Sequence, residues 1–198
     1  RKSPREKDLY PLLAQYLQVQ LNVYSKRIDE KRSKNRRGPS GNRWLFPDLV
    51  AMEPLDQEWN PDIVACVSSA GDNRVKLWSF EVKQALNGGN VRESYFQAVS
   101  NSSWENYGYL VAADIIGEST RKELELLSAL HGIGVIHLDV EEPNESQILI
   151  LAREKPNVDW QSANRILIEN TDFLNYIKSV KGYYKTNDLR LTDWERGT

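Results

Sequence analysis

A chain of 198 residues, 40% hydrophobic and 27% charged, is long enough to bury a core of its own, so one domain is expected and neither disulfides nor a structural metal is needed to hold it. Its one cysteine, Cys66, excludes an internal disulfide framework and a cysteine-rich zinc site. No apolar run approaches the roughly 20 residues that cross a bilayer and no signal peptide is visible, so a cytoplasmic protein with no membrane partner is expected. The net charge of −2 does not advertise nucleic-acid binding, but the charge is unevenly spread. Between residues 26 and 43 stand Lys26, Arg27, Lys31, Arg32, Lys34, Arg36, Arg37 and Arg43 against only Asp29 and Glu30, a net +6. The start at Arg1 reads as a piece of a longer protein with a domain upstream.

In chain order, Leu9, Leu12, Leu13, Tyr16 and Leu17 recur at helical spacing and predict a first helix over about 8–22. Its start has two readings. Ser3-Pro4-Arg5-Glu6 resembles a capping box, which would leave Pro11 in the helix interior; Asp8 as N-cap puts Pro11 in the first turn and is preferred. The basic stretch from Lys31 to Arg43 contains Gly38-Pro39-Ser40-Gly41 and reads as a loop. Trp44–Met52 and Asp62–Ser68 read as strands, which would bury Cys66 as a small hydrophobe. Val75–Lys83 alternates strongly: Val75, Leu77, Ser79, Glu81 and Lys83 share one face, Lys76, Trp78, Phe80 and Val82 the other. After Asn87-Gly88-Gly89-Asn90 comes a helix over about 91–104, then a strand at 107–113, a helix at 120–130, strands at 135–140 and 148–151, and helical segments from Trp160 to Lys181. The order predicts an α/β fold, a mixed central sheet flanked by helices.

Glu81-Val82-Lys83 is the informative element. Strand alternation puts the carboxylate and the ammonium on one face, just before a Gly-Gly break. Phosphodiester hydrolysis needs such a set: carboxylates to hold Mg2+ and a lysine to orient water or offset developing charge. Alone, Glu-x-Lys on a surface strand is usually a solvated ion pair. Two Pro-Asp pairs lie upstream. Asp62 is 19 residues before Glu81 and Asp48 is 33 before it, a distance that demands an insertion between the strands. Both stay open on the residues alone; Asp48 is preferred, with Asp62 as the alternative, because its Arg43-Trp44 flank and apolar run better match a family resemblance.

Pro47-Asp48 followed by Glu81-Val82-Lys83 resembles the PD-(D/E)xK nuclease superfamily. The resemblance covers about residues 6–113 and implies a restriction-endonuclease-like αβββαβ core, with the additional strands and C-terminal helices of 114–198 as an extension. The phrases Arg43-Trp44-Leu45-Phe46-Pro47-Asp48, Ser79-Phe80-Glu81-Val82-Lys83 and Tyr95 to Trp104 (YFQAVSNSSW) look like bacterial HrgA-type, restriction-linked proteins, which carry a DNA-binding region upstream. What this resemblance implies is a DNA endonuclease using Mg2+, with Mn2+ as substitute. Asp48, Glu81 and the Val82 carbonyl would hold the metal, Lys83 would position water, and Glu6 and Gln97 would complete the site. DNA is the expected partner, through Lys31, Arg32, Lys34, Arg36, Arg37, Arg43 and Arg92, whose cations would meet the backbone rather than read sequence. The oligomeric state stays open, a homodimer included. The rival is a catalytically inactive module of the same fold that binds DNA or serves assembly.

Overall fold

The computed structural model describes residues 4–34 and 44–197. Within them the chain forms α1 (Glu6–Leu21), β1 (Tyr24–Arg27), β2 (Leu49–Pro54), α2 (Pro61–Ala70), β3 (Val75–Leu86), α3 (Val91–Asn101), β4 (Tyr107–Ile115), α4 (Glu118–His131), β5 (Gly134–His137), β6 (Gln147–Ile150), α5 (Trp160–Glu169) and α6 (Thr171–Thr186). The six strands make one open mixed sheet in the order β1 to β6. β1, β2 and β3 are antiparallel neighbours, β3, β4 and β5 are parallel, and β6 returns antiparallel. No helix among the described residues is long and apolar enough to cross a membrane.

Strand alternation divides the core. Trp78, Phe80 and Val82 join Tyr109, Val111 and Ile136 against Leu9, Leu13 and Leu17 of α1. On the opposite face Val50, Met52 and Leu77 meet Phe173, Tyr176 and Val180 of α6, while Leu110, Ala112 and Val135 meet Tyr95 of α3 and Leu124 of α4. β3 therefore shows the two faces its alternation predicts, with Glu81 on the side covered by α3.

Three local expectations are corrected. Asp62–Ser68 is not a strand but the middle of α2. Asn60 caps it by accepting the Asp62 N–H (2.8 Å), Pro61 opens it and Gly71, at φ +75°, ends it. These end signals outweigh the β-branched run Ile63, Val64, Val67. None of its residues is buried, so Cys66 is exposed rather than a core residue. The first helix begins at Glu6, with Arg5 as N-cap; Asp8 is the third helical residue, and its carboxylate accepts the Arg5 N–H (3.0 Å). Pro11 sits inside the helix, which forgoes one backbone hydrogen bond. Finally, Trp44 and Leu45 form an exposed turn, and β2 starts only after Asp48. Its other neighbour is the unforeseen β1, a short edge strand whose Lys26 and Arg27 disguise it in a charged run.

Candidate functional site

The site is a fork in the sheet. β2 pairs with β3 as far as Leu49 opposite Phe80. One residue earlier the Asp48 N–H donates to the Phe80 carbonyl (3.0 Å), and the two strands then part while β3 runs on beside β4 alone. The next β3 amide on that side, Val82, would lack a ladder partner, and the Asp48 carboxylate takes its place: the Val82 N–H donates to Oδ2 at 2.7 Å. The same alternation turns the Val82 carbonyl toward the gap. The separation of 33 positions between Asp48 and Glu81 is absorbed by β2, α2 and the first half of β3.

A cleft of about 340 Å³ opens at this fork. Glu6, Tyr10, Arg27, Lys31, Asp48, Glu81, Lys83 and Gln97 line it, together with Asp29 and Glu30. The five residues expected from the sequence to be catalytic, Glu6, Asp48, Glu81, Lys83 and Gln97, thus share one cavity. Asp62 does not; it is exposed on the first turn of α2.

Each carboxylate is held by specific donors. Lys83 Nζ donates to Glu81 Oε1 (2.7 Å) and Asn101 Nδ2 to Oε2 (3.0 Å). The Tyr10 hydroxyl donates to Asp48 Oδ1 (3.2 Å). Tyr10 and Asn101 were not foreseen, yet each lies one helical turn beyond a residue that was: Glu6 and Tyr10 share a face of α1, Gln97 and Asn101 a face of α3. Gln97 and Asn101 are buried rather than on a solvated face.

Enclosure raises the Asp48 carboxyl well above the usual range, and the charge of Glu81 raises it further; the Val82 amide and Lys83 pull it back. Burial likewise raises Glu81 against the pull of Lys83 and Asn101. Burial alone would lower the Lys83 ammonium, but Glu81, Asp48 and Glu6 together raise it, so it stays a firm cation.

These residues fit a hard divalent cation. Asp48, Glu81 and the Val82 carbonyl are all-oxygen donors of the kind Mg2+ and Mn2+ take. Among the described residues no three His, Cys, Asp or Glu side chains converge into a metal-holding group, so the set rests on two carboxylates and backbone. Counted as fully ionised, the five carboxylates outnumber Arg27, Lys31 and Lys83 by two.

The residues expected to meet DNA are placed unequally. Lys31 lines the cleft from a 3-10 turn at Glu30–Arg32. Arg32 is ion-paired to Asp172 of α6 (3.0 Å). Arg92, on α3, is paired to Glu123 of α4 and does not line the cleft. Lys34 is exposed, its backbone N–H bonded to the Glu169 carbonyl (2.9 Å). Arg36, Arg37 and Arg43 lie outside the described residues.

Comparison with family models, curated proteins and solved structures returned no match to this chain. The functional reading therefore stands on the geometry of the fork.

Proposed function

We propose that the fork is the active site of a metal-dependent DNA endonuclease of the PD-(D/E)xK type, linked to restriction or defence. The observation that carries the reading is the meeting of Asp48, Glu81 and Lys83 in one cleft with Glu6 and Gln97. The element order supports it: a helix, three antiparallel strands, a helix and a parallel strand make an αβββαβ core, with α2 inserted between the second and third strands.

In this reading Asp48, Glu81 and the Val82 carbonyl hold Mg2+ or Mn2+, which when bound acidifies a water and offsets phosphate charge. Lys83 serves as a charged donor rather than a base, because its neighbours stabilise the ammonium. It orients the attacking water and stabilises charge developing on the phosphoryl oxygens. Water adds to phosphorus and gives up a proton to solvent, the bond to O3′ breaks, and O3′ takes up a proton from solvent, so the products carry a 5′-phosphate and a 3′-hydroxyl. Glu6 and Gln97, on opposite helices, position the water or the phosphate from the cleft walls.

One observation favours the rival, a fold retained for DNA binding or assembly without catalysis: Glu81 already uses both oxygens on Lys83 and Asn101. Calorimetric titration with Mn2+, together with cleavage of methylated and unmethylated plasmid with Mg2+ or EDTA, separates the two. The endonuclease reading expects one saturable site lost in Asp48→Asn and EDTA-sensitive nicking. Absence of both metal uptake and cleavage would overturn it.

A further inference from the structure

The cations in and near the cleft are not equally free. Lys83 is bound to Glu81 and Arg32 to Asp172. Arg27 differs from both. It is the last residue of β1, registered opposite Leu49, and the next amide, of Ile28, donates to the Asp48 carbonyl (2.9 Å). Its backbone is therefore fixed beside the fork. Its guanidinium lies over the ring of Tyr10, 5.1 Å from the centroid, and is ion-paired to no described acid; Glu195 takes only its backbone N–H (3.4 Å). Tyr10 in turn bonds Asp48.

We propose that Arg27, braced on Tyr10, is a phosphate-binding residue of this cleft that holds the DNA backbone at the fork. The proposal rests on the endonuclease reading and adds a residue to it. Stacking restrains the long side chain without consuming its donors, so the planar fork remains available for two phosphoryl oxygens. An ion pair would satisfy those donors instead, as it does in Arg32. The brace also links the phosphate-binding group to a carboxylate at the fork through a single side chain, because the Tyr10 ring carries Arg27 while its hydroxyl serves Asp48.

The test measures binding of a fluorescent 20-base-pair duplex in Ca2+ across a salt series, and cleavage in Mg2+. Losing one phosphate contact flattens the log–log salt slope by about 0.9. Arg27→Ala and Arg27→Gln should each show that change and raise KM. Arg27→Lys should keep the slope while binding more weakly. Tyr10→Phe keeps the ring and should keep the slope, whereas Tyr10→Leu should lower affinity. A merely structural arginine would not move the slope. Wild-type binding and cleavage with an unchanged slope and KM in both neutral variants would overturn the role of Arg27 alone. Failure of the wild-type chain to bind or cut DNA would overturn the endonuclease reading, and this inference with it.

Discussion

An acid flanks β2 at each end, buried at Asp56 and half-buried at Asp48, and the two ends are built to opposite purposes. Just past its C-terminal end Asp56 meets one guanidinium. Arg74 Nε donates to it at 2.6 Å, both side chains are nearly inaccessible, and Tyr183 donates to its other oxygen. The remaining Arg74 donors reach the Tyr184 carbonyl (2.9 Å) and Asn187 (2.6 Å). Charge and hydrogen bonds close, and the result fastens the end of β2 and the start of β3 to α6. At the other end the one ammonium, Lys83, is bonded to Glu81 and not to Asp48, both carboxyls are raised, and a cleft opens over them. A balanced buried pair locks structure. An unbalanced one, left open to small solutes, is what a binding site requires, and perturbed carboxyls in a cleft mark such sites.

Breaking the closed end should have the largest effect. Arg74→Ala leaves Asp56 buried without its cation, at a cost of about 3–5 kcal/mol. Thermal unfolding should drop by on the order of 10 °C, while Asp48→Asn should not lower it in the absence of metal. If the two variants destabilise equally, the contrast between the ends of β2 fails.

Glu105 is a third buried carboxyl. It is fully inaccessible, its cation partner Lys155 is 3.8 Å away, and burial pushes it up to about 8 despite that neighbour. Because the folded value lies above the ordinary 4.5, the folded state binds the proton more tightly. Stability is then fullest below about pH 4.5 and is lost as pH rises toward about 8, with no further loss beyond. At about 1.4 kcal/mol per pH unit the cost reaches a few kcal/mol. Denaturant melts of Glu105→Gln should show a gain at pH 8 that disappears near pH 4.5. A gain independent of pH would show that packing, not ionisation, is responsible.

At the open end, Lys83→Ala should cut cleavage by on the order of 10²–10³, as removal of a transition-state donor does elsewhere. Its thermal stability should change little, since Glu81, the acid that Lys83 bonds, can protonate instead. Single-turnover cleavage at saturating protein isolates this step from binding, and an undiminished rate in a folded variant would sink the role given to Lys83.

What the sequence made legible follows from the range of the forces involved. β3 was readable because alternation is local, and it correctly put Glu81 with Lys83 on one face. α3 was readable from the break at Asn87-Gly88-Gly89-Asn90 before it, although the Asn90 side chain makes no cap hydrogen bond. The fork was not, since it depends on where β2 leaves β3, and nothing within Trp44–Asp48 says that pairing begins only at Leu49. α2 was misread because Ile63, Val64 and Val67 outweighed Asn60-Pro61 and Gly71, although the helix touches no core that would justify its apolar run. Asn101 and Tyr10 carried a usable signal, one turn beyond Gln97 and Glu6. Arg27 carried none within its charged run: what distinguishes it from Arg32 is an aromatic ring on another element.

The finest test of the contrast uses a metal rather than a mutation. A cation that binds only the folded chain stabilises it by about 2.7 kcal/mol when present at a hundred times its dissociation constant. It must displace whatever protons Asp48 and Glu81 retain. Both carboxyls are raised, so without metal they hold protons to higher pH than free carboxyls do, and the stabilisation should be absent in acid and grow as pH rises through their folded values. Scanning unfolding with and without Mn2+ between pH 5 and pH 8 should therefore give a widening gap in the wild-type chain. Asp48→Asn should close the gap. Asp62→Asn should leave it intact, since Asp62 stands outside the cleft on α2. In Arg74→Ala the gap should persist at a lower melting temperature, because the metal senses only the open end. A gap that is flat across pH would mean that the cation binds somewhere other than the raised pair, and the fork would then have to be read as a closed polar network like the one at Asp56.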